Sequence, residues 1–266
     1  MAALDLGLKV FQPDSVKEAA ALEVLAACKA DLGCVVAYGQ ILPQALLDQP
    51  RLGCVNVHAS LLPRWRGAAP IEWAVAKGEQ RTGVCVQRMV YKLDAGEVLL
   101  SRSLELGSLD DAPGLHPRLA LIGAGLLVEA LAGLEAGTLK GQPQDESQAT
   151  YAPLLKKSDG EIDFSLPART VLDRFRGFRQ RPGCSASLET GEPLKVLKLS
   201  LGSAAGGSPA SLLGISAQGL EVACGDGKSV FLEEVQAPGG KAVRGADFAH
   251  GHHLQPGQKF KLRAAS

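Results

Sequence analysis

The sequence predicts two architectures in one chain of 266 residues, an α/β first half and a second half built from short strands. Three observations carry this. Residues 31–39 (DLGCVVAYG) and 54–58 (CVNVH) are apolar or β-branched runs bounded by turn formers, and the second leads into a helix-like segment. That is the pattern of a sheet covered by helices. Residues 113–137 form one Leu- and Ala-rich stretch of helical length that stops at Gly137. From Ser185 onward, SASLE, PLKVLKLS, SLLGIS, GLEVACGDG and SVFLEEVQ follow one another across Gly turns, the spacing of a small barrel.

Taken in order, residues 1–13 read as the end of a helix, a Gly stop and a strand at Leu8–Phe11. Ser15, with Glu18 three residues on, has the form of a capping box for a helix over 15–30. The unbroken apolar run at 31–39 predicts a strand buried on both faces. The segment 54–71, CVNVHASLLPRWRGAAPI, begins as a strand, turns at Pro63 and enters a helix over 67–77. Side chains alternate along a strand, so Asn56 and His58 share a face at its carboxyl end, where open α/β sheets bind ligands. Thr82 to Val90 alternates apolar and polar residues and reads as a strand, and Val98 to Leu106 as another. Asp94 lies on the turn between them. Gly123-Ala124-Gly125 falls inside the long helix with no strand before it, so it is no dinucleotide motif. Residues 138–150 are polar and read as a linker.

In the second half a helix over 168–178 carries Arg169, Arg174 and Arg176, a stripe suited either to phosphates or to a solvated face. Gly225-Asp226-Gly227 reads as a hairpin turn, and Gly202 to Ser208 as a surface loop. His250, His252 and His253 have no Cys or carboxylate at ligand spacing, so no metal is expected and a helix-end role is preferred.

Formal net charge is zero, which argues for no polyanionic partner of the whole chain. The halves differ: residues 1–150 hold 13 basic and 17 acidic side chains, a balance of −4, and residues 151–266 hold 15 and 11, a balance of +4. This asymmetry suits a second half that faces nucleic acid, and equally a chance fluctuation of surface charge. Six cysteines form no CxxC pair and read as buried free thiols of a reducing cytoplasm. The chain shows no signal-peptide pattern and no uninterrupted apolar run that spans a bilayer, so no membrane is expected.

The run NVHASLLPRWRGAAPI resembles the signature of the methionyl-tRNA formyltransferase family. Its core, Asn-x-His-x-Ser-Leu-Leu-Pro, is similar to that of other folate-dependent formyltransferases, and the Arg-Trp-Arg-Gly-Ala-Ala-Pro extension looks like the tRNA-formylating branch. The resemblance begins at Gly-Leu-x-Val-Phe-Gln-Pro (residues 7–13) and so leaves out the family's first βαβ unit, which predicts an open sheet edge and exposed apolar faces. It implies a Rossmann-like formyltransferase domain with a truncated parallel sheet (1–137), a linker (138–158) and an OB-like barrel that contacts tRNA (159–266). Residues 40–43 would line the pterin pocket. After the 168–178 helix the family shows Asn-Pro-Trp-Pro-Gly. Here the matching residues are Arg179-Gln180-Arg181-Pro182-Gly183, which alters the packing of the following hairpin.

The implied activity is transfer of the formyl group of 10-formyltetrahydrofolate to the amino group of methionine on initiator methionyl-tRNA, by a cytoplasmic monomer without a metal. The implied catalytic residues are Asn56, His58 and Asp94. Asn56 would offer an amide N–H to the developing oxyanion. His58 would accept or relay a proton, and Asp94 would orient the imidazole or handle protons itself. Which of the two takes the proton stays open. Ser60, Leu61, Leu62 and Pro63 would hold the folate through backbone contacts, with Arg64 and Arg66 reaching the tRNA acceptor end or the folate's glutamate tail. The alternatives are formylation of another amine, a nucleotide sugar or a purine precursor, and an inactive remnant that binds tRNA or folate.

Overall fold

The computed structural model describes residues 2–203 and 206–263. Helices α1 (Ala2–Asp5) and α2 (Ala19–Ala27) precede strand β1 (Gly33–Val36), helix α3 (Gln44–Leu47) and strands β2 (Cys54–His58) and β3 (Arg66–Gly67). Helix α4 (Pro70–Ala76), strands β4 (Arg81–Arg88) and β5 (Val98–Glu105), helix α5 (Ala112–Glu135), strand β6 (Tyr151–Ala152) and helix α6 (Ala168–Phe178) follow. Then come β7 (Cys184–Ser187), β8 (Pro193–Leu201), β9 (Leu212–Ser216), β10 (Gly219–Ala223), β11 (Ser229–Gln236), β12 (Ala242–Arg244) and α7 (Gly245–Gly251). The chain divides into one unit of Met1–Arg66, Gly83–Arg102 and Leu121–Thr150, and another of Gly67–Thr82, Ser103–Ala120 and Tyr151–Ser266.

The first unit is built on a four-stranded sheet in the order β1-β2-β4-β5. Strands β1 and β2 are parallel, with Val35 opposite Asn56, whereas β4 runs antiparallel to β2, with Asn56 opposite Gln87 and His58 opposite Cys85. The sheet is therefore mixed rather than purely parallel. Val55, Val84, Cys85 and Val86 are buried in it. Helix α5 lies close against it at Gly123, where a Cβ would sit 3.0 Å from the Val57 side chain. Among the described residues α5 is long and apolar enough to cross a membrane, with 28% of that window buried. A count of unbroken apolar residues missed it, because Arg118 and Glu129 interrupt the run.

The amino-terminal elements depart most from the sequence reading. Leu8–Phe11 forms no strand; the Leu8 N–H bonds back to the Ala3 carbonyl at 2.9 Å, after α1 stops at Gly7 with φ +70°. Helix α2 starts at Ala19 with Glu18 as its extended N-cap, and Ser15 instead accepts the Lys17 N–H at 3.2 Å. The short hydroxyl side chain closes a local turn in competition with the helix. Strand β1 is an edge strand, paired with β2 alone among the described residues, and Cys34 and Val36 are exposed. The expectation of burial on both faces is corrected, because the run of apolar residues reports composition and the strand's place at the sheet edge decides exposure. The β1 edge is open among the described residues, and Val10, Phe11 and Tyr38 are exposed.

The second unit is dominated by an antiparallel sheet in the order β7-β8-β11-β10-β9, with β12 on β11. Leu194, Val196, Leu212, Leu220, Val222, Val230, Leu232 and Val235 form its core. Residues 258–261 join the two ends of this sheet. The Leu212 N–H bonds to the Gln258 carbonyl (2.8 Å) and the Phe260 N–H to Ala210 (2.9 Å) on the β9 side. The Glu189 N–H to Lys259 (3.0 Å) and the Lys261 N–H to Ser187 (2.8 Å) complete the barrel on the β7 side. The 224–228 hairpin turn places Gly227 at φ +75°, and Asp226 accepts the Ala168 N–H at 3.1 Å, capping α6 from outside its own segment.

The basic stripe of α6 is used internally. Arg176 is buried against Asp173 (2.6 Å), Arg169 pairs with the same carboxylate (3.1 Å), and Arg174 donates to the Asp159 carbonyl (2.9 Å). His252 stacks on Phe248, with ring centroids 4.0 Å apart, and stands at the C-terminal end of α7. The expected loop at 202–208 is only partly covered, since Ala204 and Ala205 lie outside the described residues.

Candidate active site

Strand β2 sets the site. Asn56 and His58 are two residues apart, so they project from the same face, Asn56 half-buried and His58 buried. Gln87 of β4 lies directly opposite Asn56 and shares that face. Its amide donates to Asp94 Oδ1 at 2.8 Å, and Asp94 Oδ2 lies 3.7 Å from His58 Nδ1. The structure thus brings together all three residues picked out from the sequence.

The imidazole orientation is fixed by its other nitrogen. His58 Nε2 lies 2.9 Å from the Trp65 carbonyl oxygen. A carbonyl can only accept, so Nε2 carries the hydrogen and Nδ1 is left to face Asp94. Trp65 itself has φ +62°, an unfavoured conformation for a bulky residue. It is held at both ends, because its N–H donates to Thr150 Oγ1 at 2.9 Å while its carbonyl takes the His58 bond.

The Ser60–Pro63 turn follows directly. Ser60 is fully buried and its hydroxyl donates to the Arg64 carbonyl at 2.6 Å, so it shapes the turn from within. Leu61, Leu62 and Pro63 are half-buried, and the Arg64 N–H returns to the Leu61 carbonyl at 3.2 Å. Arg64 is exposed, with its guanidinium 5.7 Å from the Trp65 ring centre.

Arg66 corrects the sequence reading. Its side chain is fully buried, donating to Glu146 (3.1 and 2.9 Å) and to Gln144 Oε1 (3.1 and 2.7 Å), so it is not presented to a tRNA or a glutamate tail. Hydrogen bonds from Arg66 and then Lys92 draw the Glu146 carboxyl down to about 2. A buried guanidinium needs such partners, since an unpaired one is strongly unfavourable inside a protein.

The 138–150 stretch, read as a linker, is part of this site. Gln142 exchanges backbone hydrogen bonds with Val98 (2.9 Å each way). Gln144 Nε2 donates to the carbonyls of Asp94 (2.8 Å) and Gly96 (2.7 Å). Asp94 has φ +45°, a left-handed conformation that costs a non-glycine residue roughly 1–2 kcal/mol. Gly96 has no alternative, since a Cβ there would overlap the Arg88 carbonyl oxygen. Gln87, Gln144 and Glu146 were missed from the sequence. Gln87 gave one usable signal, a neutral polar residue within a strand of otherwise buried positions. The other two gave none, because polar residues in a polar stretch look like solvated loop.

A cavity of about 440 Å³ in the second unit is lined by Glu72, Ala112, Pro113, His116, Gly177, Gln180 and Arg181. It contains none of Asn56, His58 and Asp94. The chemistry assembled around β2, rather than this cavity, marks the candidate site: an amide, an imidazole, and a carboxylate facing its Nδ1 nitrogen.

Comparison with known proteins gives the family. Residues 2–131 match the formyl transferase family and residues 154–253 the formyl transferase C-terminal domain. The chain is 49% identical to the methionyl-tRNA formyltransferase of Pseudomonas paraeruginosa, over 95% of this chain and 81% of that protein. It is 45% identical to that of Trichlorobacter lovleyi, over 96% and 80%. Among solved structures, HypX from Aquifex aeolicus, crystallised with tetrahydrofolic acid, shares the fold with a TM-score of 0.65 at 18% identity, over 91% of this chain and 44% of that one. The N-formyltransferase from Helicobacter canadensis, crystallised with folinic acid and dTDP-3-aminofucose, gives a TM-score of 0.65 at 15% identity, over 86% and 79%. By these matches, along nearly its whole length, the chain belongs to the methionyl-tRNA formyltransferases of the formyl transferase family.

Proposed function

We propose that this protein transfers the formyl group of 10-formyltetrahydrofolate to the α-amino group of methionine on initiator tRNA, acting in the cytoplasm as a monomer. The observation that carries the reading is the convergence of Asn56, His58 and Asp94, with His58 Nδ1 turned toward Asp94. The tRNA acceptor follows from the names of the relatives. The folate donor is supported by the folate-bound structures that share the fold.

Acyl transfer to an amine asks for two services. The carbonyl oxygen gains negative charge as the amine nitrogen attacks, and Asn56 offers the amide N–H that stabilises it. The amine must lose a proton, and His58 Nδ1 or the Asp94 carboxylate receives it. With Nε2 committed to the Trp65 carbonyl, a proton gained at Nδ1 meets the Asp94 carboxylate. The Ser60–Pro63 turn offers backbone groups between apolar side chains, a donor set suited to the edge of a flat heteroaromatic ring. When bound there, the folate would supply the activated formyl group: as the formyl carbon bonds to the amine nitrogen, its bond to the folate nitrogen would break, and a proton equivalent to the one the amine gives up would go to that nitrogen, so that tetrahydrofolate leaves.

The test is formyl transfer from 10-formyltetrahydrofolate to charged initiator tRNA. Asn56→Ala should lower kcat about 10²–10³-fold, and His58→Ala should also cause a large loss. Transfer to a nucleotide sugar, with none to charged tRNA, would overturn the acceptor. Salt-sensitive tRNA binding without turnover would mark an inactive binder.

A further inference from the structure

We infer that Gln144 is a positioning residue for the reaction, setting the Asp94 carboxylate against His58 through the backbone of the turn that carries it. The inference rests on the reading of Asp94 as a catalytic group. Gln144 stands outside the strand-borne residues, on a stretch with the composition of a connector.

The geometry leaves its amide no freedom. Arg66 can only donate, and both its Nε (3.1 Å) and a terminal nitrogen (2.7 Å) aim at Gln144 Oε1. Backbone carbonyls can only accept, and those of Asp94 (2.8 Å) and Gly96 (2.7 Å) both receive Nε2. Oxygen and nitrogen are therefore assigned by their partners, and a flipped amide would break all four bonds. Nε2 binds the carbonyls on either side of Ala95, so it holds the turn from both flanks. It also lies 3.4 Å from Gln87 Oε1, whose own amide holds Asp94 Oδ1 at 2.8 Å. Gln144 thus fixes the backbone of Asp94 while steadying the residue that fixes its side chain.

The far end of the chain of contacts is anchored. Arg66 is fully buried and is held by Glu146, which also takes Lys92 at 2.7 Å. Asp94 meanwhile sits at φ +45°. A strained turn that keeps one orientation needs outside restraint. Without Gln144 the turn can relax, and the carboxylate leaves His58 Nδ1.

The test is a double-mutant cycle on kcat for formyl transfer, using Gln144→Glu, Gln144→Met and Asp94→Asn. Gln144→Glu keeps the acceptor for Arg66 and removes the donor to the two carbonyls, so it preserves the buried anchor. Gln144→Met removes both. Each should lower kcat about 10–100-fold with KM for charged tRNA nearly unchanged. In the Asp94→Asn background neither should reduce kcat further, and the pH profile of each single variant should move in the direction of the Asp94→Asn profile. The charged and titratable groups around this arrangement are His58 against Asp94, Arg66 against Gln144, and Glu146, itself paired with Lys92, on Arg66, so the profile is compared with Arg66 and His58 intact throughout. Additive losses in the cycle, an unshifted profile, or full activity of Gln144→Glu would overturn the inference. Full activity of Asp94→Asn would instead overturn the catalytic reading on which it rests.

Discussion

At the scale of single residues, Arg66 shows how a side chain can carry charge without meeting a ligand. It is fully buried and shares its donors between Glu146 and Gln144. Arg66→Lys keeps the charge and loses the planar fork, so it should destabilise the protein by roughly 1–3 kcal/mol and lower kcat, as thermal denaturation and formyl transfer would show. The pair also predicts an acid response. The folded-state pKa of Glu146 is depressed to about 2 from an ordinary 4.5. Its stabilisation is therefore complete above about 4.5 and is lost as pH falls towards about 2. Wild type should lose stability through this window more steeply than Glu146→Gln, measured by denaturant titration at successive pH values. Equal slopes would place the pairing elsewhere.

At the scale of elements, close approach explains positions that composition leaves blank. Gly177 of α6 lies against α4, where a Cβ would stand 2.6 Å from the Glu72 carbonyl oxygen and 2.8 Å from Ala76 Cβ. Trp73 and Phe178 meet edge to face beside it, centroids 5.1 Å apart. Gly177→Ala should cost about 1–3 kcal/mol, read as a lower denaturant midpoint with an unchanged slope. Much of this level was legible in the sequence. The strands of the second half, the 168–178 helix and the Asn56/His58 face follow from periodicity and turn chemistry. Less legible were the elements whose state depends on a neighbour. Leu8–Phe11 has strand composition and no ladder to join, and 31–39 has core composition at a sheet edge. The 138–150 stretch hid its role because a polar residue at a site and one in water look alike until a buried partner such as Arg66 is seen.

At the scale of the whole molecule, the thiols report which parts are closed. Cys28 and Cys34 are exposed, whereas Cys54, Cys85, Cys184 and Cys224 are buried, so the reading of all six as interior residues holds for four. Burial pushes the Cys85 thiol up to about 11 and those of Cys184 and Cys224 to about 12. Partial burial also raises Cys34, on β1, although its side chain stays accessible. A thiol-alkylating reagent under native conditions should modify Cys28 first, then Cys34, and reach the other four only on unfolding. Mass spectrometry of partially labelled protein resolves the order, and rapid labelling of Cys184 or Cys224 would contradict the closed second unit.

The barrel of that unit is fastened by residues 258–261, which bond to both the β7 and the β9 sides. These residues are synthesised after every strand they join. A chain emerging from the ribosome therefore holds all the staves while both outer edges still lack their clasp, and closure waits for residues 258–261 to arrive. The exposed edges in that interval are the ones that pair with other chains, so the order of synthesis itself sets a period of vulnerability that the finished structure no longer shows.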